Sequence, residues 1–263
     1  MAHRSQPLRV TVLGMGAIGT AVATALASGE LQNARLAGVI VRRPDAREAQ
    51  AFPVIDLEEA LRSSDLVAEC AGVPAVQVEG VRVIEAGIDL LVSSVGALVD
   101  EPFRKRMLTQ GPGRCFTTSG AIGGLDVLSA ASRGGGLSAA QLVTTKAPAA
   151  VVQEWMSEGQ RRDMMEAAGP VTAFSGNVKE AIDLFPRSLN IAVALALATD
   201  LWDELVVTMV ADPDAALTTH AVSASGRSGD YEFTIRNRPH PHNPATSGVV
   251  PAAVLNDIER LAR

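Results

Sequence analysis

Two short stretches and one lone side chain have residue types and spacing suited to chemistry. Gly14-Met15-Gly16-Ala17-Ile18-Gly19 is a G-x-G-x-x-G string between an apolar run (8–13) and a run of small residues (17–28). In a strand–turn–helix setting the first glycine permits the tight turn. The second lets backbone approach a pyrophosphate, and the third lets the helix pack on the strand. The helix start, with Ala17 and Ile18, then offers N–H groups and a positive dipole end to phosphates. The competing use is a tight turn with no ligand. The second stretch is Arg42-Arg43, which follows an apolar run at 34–41. An NAD-specific fold usually carries Asp or Glu there, bonding the ribose hydroxyls. Two guanidiniums suit the 2′-phosphate of NADP instead. NADP is therefore an expected cofactor, NAD stays possible, and two solvated surface arginines are the alternative.

The lone side chain is His220. Of the four histidines, His3 lies in the N-terminal tail, and His240 and His242 lie in a proline-rich loop. His220 belongs to an apolar, strand-like run at 215–222, so it is either the general base and water activator of an oxidation or a core histidine satisfied by hydrogen bonds. Lysine is scarce: only Lys105, Lys146 and Lys179 occur among 23 basic residues. Lys146 ends an apolar strand and Lys179 precedes a helical stretch, so each is a candidate anion binder or a surface lysine. His240-Pro241-His242 lacks the Cys, Asp or Glu partners a metal array needs, so no metal is expected. Cys70 and Cys115 cannot make a disulfide framework, which favours a reducing, cytoplasmic setting.

The elements that must position these groups fall into two patterns. Strands at 8–13, 34–41, 66–69 and 89–93 alternate with helices at 17–28, 57–62 and 76–86, with Asp56 as an N-cap and Gly87 as a stop. That order implies βαβ units and a parallel sheet. Past residue 117 the pattern changes. Ser119-Gly120-Ala121-Ile122-Gly123-Gly124 leads into a short helix, then strand-like runs at 141–145, 171–175, 205–211, 215–222 and 231–236. Tyr231, Phe233 and Ile235 alternate with polar residues, which favours a mixed or antiparallel sheet. A helix is expected at 188–199 with Phe185-Pro186 marking its start, and a closing helix at 254–262 delayed by Val249-Val250-Pro251. The expected architecture is α/β: a Rossmann domain at 1–117, an α/β substrate domain at 118–247, and a closing helix at 248–263 packing back on the first domain.

The stretch Thr118–Asp126 (Thr-Ser-Gly-Ala-Ile-Gly-Gly-Leu-Asp) resembles the L-aspartate dehydrogenases. So do Ser94-Val95-Gly96-Ala97-Leu98, the run from Phe185-Pro186-Arg187-Ser188-Leu189-Asn190 to Ala194, and Asn243-Pro244-Ala245-Thr246-Ser247. The resemblance implies oxidation of L-aspartate to iminosuccinate, which hydrolyses to oxaloacetate and ammonia, and the reverse amination. It also implies a role in pyridine nucleotide biosynthesis and a homodimer. By the same resemblance Ala121 and Asn190 match cofactor contacts at the nicotinamide end, and His220 matches the active-site histidine. Binding the substrate's two carboxylates falls to Lys146, Lys179, Arg187, Thr246 or Ser247.

The whole-chain balance narrows the alternatives. With 263 residues, 47% apolar and 20% charged, the chain is long enough for one large or two medium domains. A net charge of −6 argues against nucleic acid as a partner. The uncharged run at 10–29 imitates a leader peptide, with Ala25-Leu26-Ala27 as a false cleavage site. The glycines within it are better explained by the phosphate turn, and no membrane span is expected. Two rivals remain: a same-fold amino-acid dehydrogenase or imine reductase with another substrate, and a sensor that binds NADP without turnover.

Overall fold

The computed structural model describes residues 6–43, 49–186, 188–241 and 243–263. Packing divides the chain into two units, Met1–Gly120 with Val250–Arg263, and Ala121–Val249.

In the first unit, strands β1 (Leu8–Leu13), β2 (Ala34–Ile40), β3 (Leu66–Glu69), β4 (Asp89–Val92) and β5 (Cys115–Thr117) form one sheet in the order β2-β1-β3-β4-β5. Every neighbouring pair is parallel. Val10, Val12, Val67, Ala68 and Val92 are wholly buried, as strands covered on both faces require. The strand order reverses beside β1, and ligands of open parallel sheets bind at the carboxyl ends next to such a reversal. Helix α1 (Ala17–Ser28) buries Val22, Ala23 and Leu26 against this sheet. Helix α2 (Leu57–Ser63) starts at Asp56, whose carboxylate accepts from the Glu59 N–H at 2.7 Å.

The third helical segment departs from the expected 76–86. It starts as α3 (Val73–Ala75), passes through a π-helical turn (Val76–Gly80) and ends as α4 (Val81–Glu85). Pro74 sits in its first turn, where its missing N–H costs nothing. Gly87 ends it in the left-handed region at φ 84°. Helix α5 (Glu101–Thr109), capped by Asp100, and β5 were not anticipated.

The second unit contains α6 (Leu125–Ser132), β6 (Ala139–Lys146), α7 (Pro148–Val151), α8 (Glu158–Met165), β7 (Val171–Gly176), α9 (Val178–Leu184), α10 (Asn190–Thr199), β8 (Leu205–Ala211), β9 (Thr218–Gly226) and β10 (Gly229–Asn237). A short pair, β11 (Pro239–His240) and β12 (Asn243–Ser247), follows. The main sheet runs β10-β9-β6-β8-β7. Only β6–β8 is parallel, so the sheet is mixed. Helix α10 is apolar all round, with Ile191 to Ala196 buried, as a helix inside a core must be. It begins at Asn190 rather than 188. Phe185 instead closes α9, its N–H bonding the Ala181 carbonyl at 2.9 Å.

Two further boundaries move. Strand β9 starts at Thr218, because the Asp212 carboxylate accepts from the Asp214 N–H and folds 212–215 into a turn. The closing helix, α11 (Val250–Leu261), is not delayed by Pro251, which sits in its first turn. Val254, Ile258 and Ala262, spaced four apart, join Leu8, Val10, Val22 and Leu26 in one core.

Candidate active site

The glycine turn is fixed by backbone sterics. Gly14 has φ 97°, and a Cβ there would lie 2.6 Å from Ala71. Its N–H bonds the Ile40 carbonyl at 2.8 Å, tying the turn to the end of β2. At Gly19 a Cβ would lie 1.9 Å from the Gly14 carbonyl oxygen, so only glycine lets α1 approach β1. Gly16 is different: a Cβ there meets nothing within 4 Å. Gly16 is the N-cap of α1, it supplies no side-chain cap, and the first turn carries no acidic residue. The N–H groups of Ala17 and Ile18 therefore face an open, electropositive space that fits a pyrophosphate. Arg42 and Arg43 are exposed just beyond the carboxyl end of β2, on the same sheet edge as the turn.

A buried carboxylate shapes this edge. Glu69 is fully buried and accepts from the N–H groups of Ala71 (2.8 Å), Gly72 (2.8 Å), Ser93 (3.2 Å) and Ser94 (2.9 Å), and from the Ser94 hydroxyl (2.8 Å). It thereby ties the loops after β3 and β4 together and seats Ala71 against Gly14. The sequence reading missed it. The available signal was an acidic residue ending the apolar strand Leu66-Val67-Ala68. Both thiols, Cys70 and Cys115, are pushed up to about 12 by burial, so neither is a ready nucleophile.

In the second unit the sheet carries the titratable groups. On β6 the inward positions are Ala140, Leu142, Thr144 and Lys146, all buried. Thr144 stands opposite His220 of β9. Their side chains meet at 3.1 Å, Thr144 Oγ1 to His220 Nδ1. His220 is thus the third residue of its strand and not its end, because β9 continues to Gly226. Burial, and then the charge of Lys146, push its imidazole down to about 3. Lys146 is also buried, which lowers its ammonium to about 8. Its Nζ donates to Ser188 Oγ at 3.3 Å.

Lys146 and Ser188 lie on the wall of a cavity of about 910 Å³, along with Trp155, Asp183, Leu217 and Asn243. Trp155 is held by an edge contact with Phe185, 5.8 Å between centroids, and by its indole N–H on the Leu184 carbonyl. His220 is not among the lining residues and is buried at 2% exposure. The inward polar residues on an alternating strand were the signal for Thr144, which the sequence reading also missed.

The other sequence candidates are dispersed. Asn190 is half-buried as the first residue of α10; the cap position is Leu189, so Asn190 is not a capping asparagine. Ala121 is buried, and its carbonyl accepts from Asn237 Nδ2 at 2.8 Å. Nearby Gly120 and Gly123 face open space, whereas a Cβ on Gly124 would strike the Phe233 ring at 2.7 Å. Lys179 is exposed inside the first turn of α9, not before it, and away from the cavity wall. Thr246 accepts from Asn243 Nδ2 at 3.1 Å, and Ser247 is buried beside it on β12. Neither lines the cavity, although Asn243 does. Arg187 and His242 lie outside the described residues.

A chain that carries both a phosphate turn on a parallel sheet and a cavity with acid–base side chains falls in the class of pyridine-nucleotide-dependent dehydrogenases. Comparison with known proteins narrows that class. The family model described as aspartate dehydrogenase, C-terminal, matches residues 126–261, and that of the homoserine dehydrogenase NAD binding domain matches residues 14–111. The L-aspartate dehydrogenase of Ruegeria pomeroyi is 34% identical over 257 residues, covering 94% of this chain and 90% of the relative. That of Nitrosopumilus maritimus is 33% identical, covering 97% and 96%. This chain belongs to the aspartate dehydrogenase family. The crystal structure of aspartate dehydrogenase from Thermotoga maritima matches it with a TM-score of 0.77 at 28% identity, over 97% of this chain and 96% of the other. The scyllo-inositol dehydrogenase of Lactobacillus casei, at 11% identity and a TM-score of 0.55, shares the fold alone.

Proposed function

We propose that this protein is an NAD(P)-dependent L-aspartate dehydrogenase, converting L-aspartate to iminosuccinate and thence to oxaloacetate and ammonia. Family membership over nearly the whole chain supports the reaction. The observation that carries the site is the Lys146–His220 pair beside the cavity of the second unit. Lys146 at the wall presents its side-chain nitrogen, beside the Ser188 hydroxyl, to a substrate in the cavity.

When bound, the nicotinamide accepts the hydride from the substrate α-carbon. The glycine turn and the first N–H groups of α1 hold the pyrophosphate. Arg42 and Arg43 receive a 2′-phosphate, which admits NADP alongside NAD. Ala121 backbone and Asn190 orient the nicotinamide end. On this reading His220, kept neutral by burial and with its ring held by Thr144 through Nδ1, assists the addition of water to the imine. Asn243, on the cavity wall, supplies an amide partner for a carboxylate oxygen. The free thiols suit a cytoplasmic enzyme. Supply of iminosuccinate to pyridine nucleotide biosynthesis is its place in metabolism on this reading. The half-exposed face of the second sheet, where Val143 lies between Ala221 and Thr208, suits a homodimer, which light scattering tests.

The decisive test is nicotinamide reduction by purified protein with L-aspartate, run with NAD⁺ and NADP⁺ in parallel, and with D-aspartate and L-glutamate as controls. Reduction with L-aspartate alone is expected. Reduction by another amino acid instead would replace the substrate, and cofactor binding without any turnover would replace the enzyme with a sensor.

A further inference from the structure

Oxidation of an amino acid needs a proton acceptor before hydride leaves. The substrate enters with an α-ammonium, which has no lone pair to close a C=N bond. Two buried side chains beside the cavity can titrate: His220 and Lys146. Their placement separates them. His220 is 2% exposed, engaged through Nδ1 with Thr144, and set back from the lining. Lys146 is only 4% exposed, yet it is on the lining itself, with its Nζ against the Ser188 hydroxyl, another lining group.

We propose that Lys146 is the proton acceptor for the substrate's α-ammonium, leaving His220 to the later water step. This rests on the aspartate reading above. The step balances as follows. The neutral Lys146 amine takes one proton from the α-ammonium, giving a lysine ammonium and a neutral α-amine. The α-C–H bond then breaks, its electron pair leaving as hydride to the oxidised nicotinamide. The nitrogen lone pair closes the C=N bond, and the Lys146 proton passes to solvent through the cavity.

The surroundings favour a lysine poised for this exchange. Burial lowers its ammonium to about 8, close to the range where acceptor and donor forms coexist. His220 faces it from β9, two residues out of register on the same sheet face, and is uncharged. Glu154 and Asp183 also border the cavity, but both are exposed to solvent, which screens them. Asp212, beyond β8, donates its N–H to the Lys146 carbonyl at 2.9 Å, and its carboxylate is turned to the Asp214 N–H.

The test compares Lys146→Arg and Lys146→Ala with the unaltered enzyme, using L-aspartate across a range of pH. Wild-type kcat/KM is expected to rise with pH through an ionisation near 8 and then level off. Lys146→Arg keeps the positive charge and loses the titration, so kcat falls by about 10²-fold or more. Lys146→Ala loses the ionisation from the profile. Added methylamine or ethylamine restores its turnover in order of amine basicity, an effect that a merely structural lysine would not show. NADPH fluorescence titration checks that both variants still bind cofactor. An active Lys146→Arg, or an unchanged ionisation in Lys146→Ala, overturns the assignment while leaving the reaction standing. Wild-type silence toward L-aspartate overturns the reaction and the assignment with it.

Discussion

The candidate cofactor surface at the end of β1 is made of backbone, whereas the candidate substrate surface beside β6 and β9 is made of side chains. At the first, Gly14, Gly16 and Gly19 clear space and α1 supplies N–H groups. At the second, Lys146 and Thr144 of β6, His220 of β9 and Ser188 of a turn come together. A backbone site tolerates no added volume where the chain is crowded. A side-chain site tolerates volume poorly too, but above all it depends on charge and protonation. The two regions should therefore fail in different ways.

The sharpest contrast lies within the glycine turn. Gly19→Ala forces a Cβ into the Gly14 carbonyl and should abolish cofactor binding while costing about 3 kcal/mol of stability. Gly16→Ala places its Cβ in open space, so urea unfolding should stay near wild type while NADPH affinity drops tenfold or more. Equal loss of stability in both would break the distinction. In the second region, His220→Ala should lower kcat by about 10²-fold with cofactor affinity unchanged. A preserved kcat would remove His220 from the chemistry.

Glu69 sits between these cases, a side chain that acts by holding backbone. Glu69→Gln turns an amide N–H₂ toward a set of donors and should cost about 2–4 kcal/mol in urea unfolding. Because Ala71 buttresses Gly14, NADPH affinity should fall as well; an unchanged affinity would limit Glu69 to stability. A smaller effect belongs to the exposed pair. Replacing Arg42 and Arg43 by alanine should shift the NADP-to-NAD ratio of specificity constants about tenfold toward NAD. No shift would return both arginines to the solvated surface.

The buried histidine also links stability to pH. The unfolded chain takes up a proton near the ordinary value of 6.5, but the folded chain resists until about 3. This contribution is complete above 6.5 and is lost as pH falls toward 3, at up to about 1.4 kcal/mol per unit. Between pH 6.5 and 4.5, wild type should lose roughly 2 kcal/mol more than His220→Gln in urea unfolding.

The local signals read well because each was complete within a few residues. The G-x-G-x-x-G turn, the Asp56 cap, the small-residue helix at 17–28 and the strand at 205–211 all form where their own residues direct. The capping boxes Ser157-x-x-Gln160 and Asn177-x-x-Glu180 were equally legible, although α8 was passed over and α9 was placed only after Lys179. Boundaries moved where a neighbour intervened, as when the 212–215 turn delayed β9 and Phe185 was taken up by α9.

The sequence by itself determined the parallel sheet and its glycine turn, because glycine spacing and apolar periodicity are properties of the chain read in order; the family was legible through the resemblance of motifs spread from residue 94 to residue 247. Tertiary structure decided which titratable groups meet. Pairing β6 with β9 sets Thr144, 76 residues away, against His220, and the same sheet face carries Lys146 to a cavity wall with Ser188 opposite. It also withdrew Lys179 to the surface and drew five donors onto Glu69. Burial and charge proximity depend on distances across the fold, and the order of residues along the chain does not encode those distances locally.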